Sequence, residues 1–285
     1  MATKIPPIIK PAELATLMQQ KKVVIIDARV GPQVKETYAA SHLAGARFVD
    51  IETELARPKK EPAQGGRHPL PYLEQFAQLL QRLGISPDSH VVVYDDKNGA
   101  NAAARFWWML RAIGHQAVQV LDGGYQAAIT AGIPTYSGEE VPATTSIYPV
   151  KEWLLPTVDI HQVEKAVQDS DFLVIDVRDA ERYRGEKEPI DLIAGHIPGA
   201  VNIPFSKNLD SNGFFLKPDE LKHTYKQALE NRNAKQVIVH CGSGITACHT
   251  LLAMDHAGME IPGLYVGSWG EWSRTDRPIA TGAKP

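Results

Sequence analysis

The sequence predicts two α/β domains in tandem, each a mainly parallel sheet flanked by helices, and three observations carry that prediction. Short unbroken apolar runs such as Val23 to Ile26 and Val91 to Val93 have the character of strands buried on both faces of a parallel sheet. They alternate with stretches of helical apolar spacing that stop at glycines, the order of a strand–helix–strand fold. The pattern also occurs twice. Val24-Ile-Ile-Asp-Ala-Arg29 returns as Leu173-Val-Ile-Asp-Val-Arg178, Ser41-His-Leu-Ala-Gly-Ala46 as Gly195-His-Ile-Pro-Gly-Ala200, and His90-Val-Val-Val-Tyr-Asp95 as Gln236-Val-Ile-Val-His-Cys241. Gly132-Ile-Pro134 is echoed by Asp276-Arg-Pro278. Four landmarks in one order indicate duplication, and place the domains at 1–137 and 157–285 with a linker at 138–156.

Pro11 to Gln20 reads as a short amphipathic helix with proline at its start. The strand from Val23 follows, then a turn from Ser41 into a second short strand. Residues 56–71, rich in Pro, Gly, Lys and Arg, read as an exposed loop. Tyr72 to Leu83 has helical spacing and ends at Gly84. After the strand at 90–94, a helix spans Asn101 to Ile113 and stops at Gly114. Val118 to Leu121 and then Asp122-Gly-Gly-Tyr125 give a last strand and a turn. The stretch from Tyr136 to Pro156 carries Pro142, Pro149 and Pro156 among Ser, Thr and Gly with little periodicity, and is read as the linker.

Composition narrows the function classes. A chain of 285 residues with 44% hydrophobic and 22% charged residues is ordinary for a globular protein. A net charge of −3 leaves no nucleic-acid or membrane-surface footprint. Two cysteines argue against a disulfide framework and fit a reducing compartment. Met1 to Pro11 lacks the apolar core of a signal peptide or anchor, so the expected location is the cytoplasm.

The stretch with chemistry in it is His240-Cys241-Gly242-Ser243-Gly244-Ile245-Thr246-Ala247-Cys248. An apolar strand, Val237 to Val239, leads in, and a helix from Ala247 to His256 leads out. Such a loop points backbone N–H groups into one small bowl with a helix N-terminus at its rim, a field that suits an anionic sulfur nucleophile. Gly242 and Gly244 let the chain curl tightly. The alternative for Cys241 is a buried structural thiol, which its place between strand and capped loop disfavours. Cysteine phosphatases start a similar loop with His-Cys and close it with an arginine that grips phosphate. Here that position is Ala247, so the phosphatase alternative lacks its cation.

Cys-Gly-Ser-Gly-Ile-Thr-Ala resembles the active loop of the tandem-domain rhodanese-family sulfurtransferases, closest to the 3-mercaptopyruvate branch. With the repeat and Gly195-His-Ile-Pro-Gly-Ala200, the resemblance covers nearly the whole chain. It implies that Cys241 takes a sulfane sulfur from a small-molecule donor, holds it as a persulfide and passes it to a thiol or cyanide, with a thioredoxin-like protein as a candidate acceptor. It implies no cofactor and no metal, since the covalent sulfur is the group carried. Gly242, Ser243, Gly244, Ile245 and Thr246 would line the donor site. Arg182 falls where the family places a donor-binding arginine, with Arg184 and Lys187 as neighbouring candidates. The branch usually carries a further arginine after a Glu-Pro pair, but here Glu188-Pro189 is followed by Ile190.

His42 matches the histidine of a Ser-His-Asp relay suggested for the family, with Ser243 as the hydroxyl and Asp27 or Asp50 as the acid. The alternative for His42 is a turn histidine bonding backbone, as its twin His196 would also do. Asp95 aligns with Cys241, and a carboxylate cannot accept a sulfane sulfur, so the first domain is expected to be catalytically silent and to wall one side of the site. Cys248 is read as core, with a redox role after local opening as the alternative, and His240 as structural. His249 and His256 show no zinc spacing. Trp107, Trp108, Trp269 and Trp272 are read as core or cleft wall. Thiosulfate is a compact dianion that needs cations at the cysteine, and Gly242 and Ser243 supply none, so 3-mercaptopyruvate is the expected donor. Thiosulfate is the alternative, and a non-enzymatic sulfur-carrier module a more distant one.

Overall fold

A computed structural model describes residues 5–20, 23–57, 61–141 and 146–285 of the chain. Pro142 of the expected linker lies outside them. The chain divides into two units, one of Met1–Arg57, Pro71–Leu154 and Asn212–Phe214, the other of Pro58–Leu70, Leu155–Ser211 and Phe215–Pro285.

In the first unit the order is β1 (Ile8–Ile9), α1 (Pro11–Gln19), β2 (Val23–Asp27), α2 (Val34–Ala40), β3 (His42–Leu43), β4 (Ala46–Phe48), α3 (Leu73–Arg82), β5 (His90–Tyr94), α4 (Ala102–Ala112), β6 (Val118–Leu121), α5 (Gly124–Thr130) and β7 (Thr135–Tyr136). Five of the strands form a parallel sheet in the order β1-β6-β5-β2-β4, and β3 pairs antiparallel with β7. Its core gathers Ile25 of β2, Val92 and Tyr94 of β5, Leu121 of β6 and Leu14 of α1, all buried. Helix α3 ends as its glycine demands, with Gly84 at φ +64°, a conformation other residues adopt at a cost.

The second unit repeats this order with β8 (Thr157–Val158), α6 (Ile160–Ala166), β9 (Leu173–Asp176), α7 (Ala180–Tyr183), β10 (Val201–Asn202), α8 (Pro218–Leu229), β11 (Val237–His240), α9 (Thr246–His256), β12 (Gly263–Tyr265) and α10 (Ser268–Trp272). Its parallel sheet runs β10-β9-β11-β12-β8, the first sheet's order strand for strand. Helix α6 starts with a capping box, the Asp159 side chain accepting from the Gln162 N–H and Gln162 accepting from the Asp159 N–H. Ile175, Ile238, Tyr265, Trp269 and Trp272 are buried around this sheet.

Three readings of the sequence need correction. The turn at Asp122–Tyr125 is the entry to α5, which the run Gly124–Thr130 is too short to announce by periodicity. Residues 56–71 are not a uniformly exposed loop: Ala56, Gly66, His68 and Pro69 are buried, residues 61–70 belong to the second unit, and 58–60 lie outside the described residues. The Pro, Gly and Arg content of the stretch suits a chain fastened by polar side chains as well as one in water. Within the stretch read as linker, Tyr148 is 6% exposed and its hydroxyl pairs with His115 Nδ1 at 2.9 Å, while Trp153 stacks on Trp108 of α4. That segment is an edge of the first unit.

Candidate active site

Strand β11 lies inside its sheet, between β9 and β12, and all four of its residues are buried. Cys241 follows directly at its carboxyl end, where ligand sites of parallel sheets form. The cysteine is 2% exposed. Residues 242–245 turn the chain into α9, which starts at Thr246.

A second stretch, residues 266–270, braces this loop. The Cys241 N–H donates to Ser268 Oγ at 3.2 Å, and Ser268 Oγ in turn donates to the Tyr265 carbonyl at 2.9 Å. The Trp269 N–H donates to the Cys241 carbonyl at 3.0 Å and the Gly270 N–H to the Gly242 carbonyl at 2.8 Å. The loop glycines divide their roles. Gly244 has φ +72°, and a β-carbon there would lie 2.6 Å from the Val266 carbonyl. Gly242 is needed for close approach, because a β-carbon on it would lie 3.1 Å from Arg67 Nη2 and from Asp191 Oδ2, and 3.4 Å from Arg182 Nη2.

Arg182 therefore stands beside the loop, as the resemblance implies. Its Nε and Nη2 are fastened to Glu188 at 2.7 to 3.1 Å, and Nη2 also donates to Asp191 at 3.1 Å. Burial by itself would push the Glu188 carboxyl up, but the Arg182 guanidinium and two backbone N–H groups hold it below its usual range. Arg184 pairs instead with Glu186 on the surface, and Lys187 is exposed. Neither fills the position that Ile190 leaves, which is itself 55% exposed. Gly242 and Ser243 bring no cation, but besides Arg182 two more guanidiniums reach the loop from elsewhere. Arg67 Nε donates to Asp191 at 3.0 Å, and Arg274 Nη1 donates to the Gly270 carbonyl at 2.7 Å and lies 3.4 Å from Asp191. Arg67 sits in the stretch read as exposed loop and Arg274 beyond α10, and neither carries a motif.

Of the loop residues, Ser243 and Ile245 are buried at 5% and 7% exposure, and Thr246 is half-buried. Ala247 is fully buried, so no arginine closes a phosphate bowl. Cys248 is buried in α9 with its Sγ 3.3 Å from the Gly244 carbonyl, and neither cysteine is in a disulfide. His240 is buried with Nδ1 3.2 Å from the Cys241 carbonyl, and burial lowers its pKa, so it stays neutral at pH 7. Asp176 behind it is held down by Arg178, against the upward push of burial.

His42 takes the place expected of a turn histidine. In the first unit its Nδ1 pairs with the Tyr38 carbonyl at 2.8 Å and its ring stacks on Tyr38 at 4.1 Å. His196 repeats this in the second, with the Tyr183 carbonyl at 2.8 Å and the Tyr183 ring at 3.7 Å. Neither acid suggested for a relay meets His42. Asp27 binds Arg29 and the Tyr94 hydroxyl, Asp50 accepts from the amides of Glu52 and Thr53, and the carboxylate nearest the ring is Glu140 at 3.8 Å.

Asp95 occupies the matching point of the first unit, between β5 and α4. Its Oδ1 accepts from the N–H groups of Lys97 and Gly99 and its Oδ2 from those of Asn101 and Ala103, at 2.8 to 3.2 Å. Burial pushes this carboxyl up and the four donors pull against it. Burial is the larger effect, and the bowl of the first repeat is thus filled by its own carboxyl group. Among the described residues no group of three or more His, Cys, Asp or Glu side chains could hold a metal, and no helix is long and apolar enough to cross a membrane.

Comparison with known proteins agrees with this duplicated geometry. The model of the rhodanese-like domain matches residues 10–131 and again 159–275. The chain is 39% identical over 279 residues to a protein of Pseudomonas aeruginosa named "Probable 3-mercaptopyruvate sulfurtransferase", spanning 95% of this chain and 96% of that one. It is 36% identical over 241 residues to the thiosulfate sulfurtransferase of Gallus gallus, spanning 84% of this chain and 80% of that one. Among solved structures, the 3-mercaptopyruvate sulfotransferase SseA of Escherichia coli superposes with a TM-score of 0.76 at 30% identity, over 93% of this chain and 99% of that one.

Proposed function

The chain belongs to the rhodanese-like family, and from that premise we propose that it is a sulfurtransferase that carries a sulfane sulfur as a persulfide on Cys241. The observation that carries this reading is the cysteine's position. It ends an interior strand, opens a loop leading to a helix N-terminus, and is tied by its own N–H and carbonyl to Ser268 and Trp269. The first repeat is the template for what the loop does. There four backbone N–H groups converge on the side chain that follows β5, and it is a carboxylate. In the second unit the side chain at that point is a thiol, and by analogy with the first repeat the N–H groups of residues 242–246 would stabilise a thiolate or persulfide there.

Transfer runs in two steps. The Cys241 thiolate attacks the donor's sulfur, the donor's C–S bond breaks, and the electron pair leaves on the donor carbon, which takes up a proton to give pyruvate. An acceptor thiol or cyanide then attacks the outer sulfur and releases the thiolate. At 2% exposure the sulfur is kept from water, which would otherwise compete for it.

3-Mercaptopyruvate is the preferred donor. Beside Gly242, Arg67, Arg178, Arg182 and Arg274 pair with Asp176, Glu188 and Asp191, four guanidiniums against three carboxylates. One positive charge in excess matches the monoanionic carboxylate of an α-keto acid better than a compact dianion. Thiosulfate is the second reading, which the resemblance to the Gallus gallus protein favours. The test is kcat/KM for the two donors with a thiol and with cyanide as acceptors, alongside the mass of the donor-treated protein. We expect a gain of one sulfur and a higher kcat/KM for mercaptopyruvate. A higher value for thiosulfate would reverse the donor assignment, and no mass gain with either would end the persulfide reading. The expected location is the cytoplasm, and a thioredoxin-like protein is the acceptor to assay among proteins.

A further inference from the structure

The Asp191 side chain has no exposed surface, yet its two oxygens serve three guanidiniums. Oδ1 accepts from Arg67 Nε at 3.0 Å and lies 3.4 Å from Arg274 Nη1, while Oδ2 accepts from Arg182 Nη2 at 3.1 Å. Arg67 comes from the segment 61–70 and Arg182 from the end of α7, far apart in sequence. They meet at one point, since both Nη2 atoms lie within 3.4 Å of the place a Gly242 β-carbon would occupy. A side chain at position 242 would fill the space between them, and glycine leaves it open next to the nucleophile.

A free arginine side chain loses rotamer freedom when it is fixed. Arg67 is anchored on Asp191 through Nε, and Arg182 on Glu188 and Asp191 through Nε and Nη2, which meets that cost during folding and holds both guanidiniums beside the opening before any anion arrives. Arg67 is 25% exposed and Arg182 13%, so their outer ends are within reach of a small anion.

We propose that Asp191 is a positioning residue that sets Arg67 and Arg182 as a two-guanidinium clamp for the donor's carboxylate, with Arg67 replacing the arginine that Ile190 does not supply. The clamp rests on the sulfurtransferase reading of Cys241. Arg67 touches the donor, and Asp191 acts through the two arginines. The clamp concerns loading of the cysteine and not its discharge, because a neutral thiol acceptor brings no carboxylate.

The test separates the two half-reactions in Arg67→Ala, Arg67→Lys and Asp191→Asn. Proteins loaded at saturating donor are freed of it, and discharge to 2-mercaptoethanol is timed. Loading is followed as kcat and KM for mercaptopyruvate. Arg67→Ala should raise donor KM roughly tenfold, the value of one charge-assisted bond, while discharge stays within about twofold. Arg67→Lys should recover only part, since an ammonium cannot hold Asp191 and the donor in the same forked geometry. Asp191→Asn should raise donor KM at least as much, and adding Arg67→Ala to it should cost less than Arg67→Ala costs alone. A wild-type KM in Arg67→Ala would overturn the clamp, as would loading and discharge slowed equally in Asp191→Asn. If Asp191→Asn does not fold, the two substitutions at the partly exposed Arg67 decide the matter. Wild-type protein that forms no persulfide would defeat the reading of Cys241 itself, whereas persulfide formation with unchanged donor KM in the variants defeats the clamp alone.

Discussion

Asp95 and Cys241 hold the same backbone position in their repeats: the Asp95 carbonyl accepts from the Tyr125 N–H at 2.9 Å as the Cys241 carbonyl accepts from the Trp269 N–H at 3.0 Å. Each residue ends the middle strand of its sheet and starts the loop before the next helix. Duplication preserved the bowl and changed the side chain inside it. One copy is filled by the Asp95 carboxyl group, and the other carries a thiol.

Asp95→Asn should therefore disturb structure more than chemistry. An amide offers one acceptor oxygen where four N–H donors converge, and turns its NH2 toward two of them. We expect a loss of about 1–3 kcal/mol from leaving buried donors unpaired, with kcat per folded molecule changed only a few-fold. Urea titration and turnover on the same sample check both halves. Unchanged stability would show that the four bonds contribute no net energy.

Cys241→Ser should abolish both turnover and the one-sulfur mass gain, while Cys248→Ser keeps most of its activity. Cys248 is buried in α9 with its sulfur against the Gly244 carbonyl, and serine can take over that bond. Equal loss of activity in both folded variants would mean that the roles are shared.

Ser268 carries the same left-handed conformation, at φ +57°, that glycine carries at the equivalent Gly124. Its hydroxyl bridges the Cys241 N–H and the Tyr265 carbonyl. Ser268→Ala keeps the backbone strain and loses the bridge, whereas Ser268→Gly loses the bridge and relieves the strain. The glycine variant should be more stable than the alanine variant by about 1 kcal/mol, read from chemical denaturation. Both should turn over more slowly than wild type, because the amide of the nucleophile loses its partner. An alanine variant as stable as the glycine one would refute the strain argument.

Acid should weaken the second unit through His240. Burial lowers its pKa below the ordinary 6.5, so the unfolded chain takes up a proton there before the folded one does. This contribution is therefore intact above pH 6.5 and declines as pH falls from there toward the folded value, below which it levels off. Unfolding free energy measured from pH 7.5 to 5 should fall toward acid, and less steeply in His240→Gln. Identical slopes would show that His240 is not the group responsible. His256 of the same unit, lowered by the same cause, contributes to the slope that remains.

The sequence by itself determined the duplication and the central strands of both sheets, and it singled out Cys241 as the candidate nucleophile. Apolar runs at 23–26, 91–93 and 237–239 can be buried on both faces only in a parallel sheet, and Cys241 follows one of them directly. Such information is local, because periodicity, glycine stops and a loop motif each lie within about a dozen residues. The equivalence of Gly124 and Ser268 was also written in the repeat, in Asp122-Gly-Gly-Tyr125 and Val266-Gly-Ser-Trp269, but a substituted glycine hides it. Tertiary structure alone decided which charges meet the loop. Arg184 and Lys187 adjoin Arg182 in sequence yet face outward, while Arg67 reaches Asp191 across 124 residues. Likewise, Glu140 and not Asp27 or Asp50 lies nearest His42. Arginine and aspartate have no periodic signature, and a buried carboxylate draws its partners from any part of the chain that the fold brings within reach.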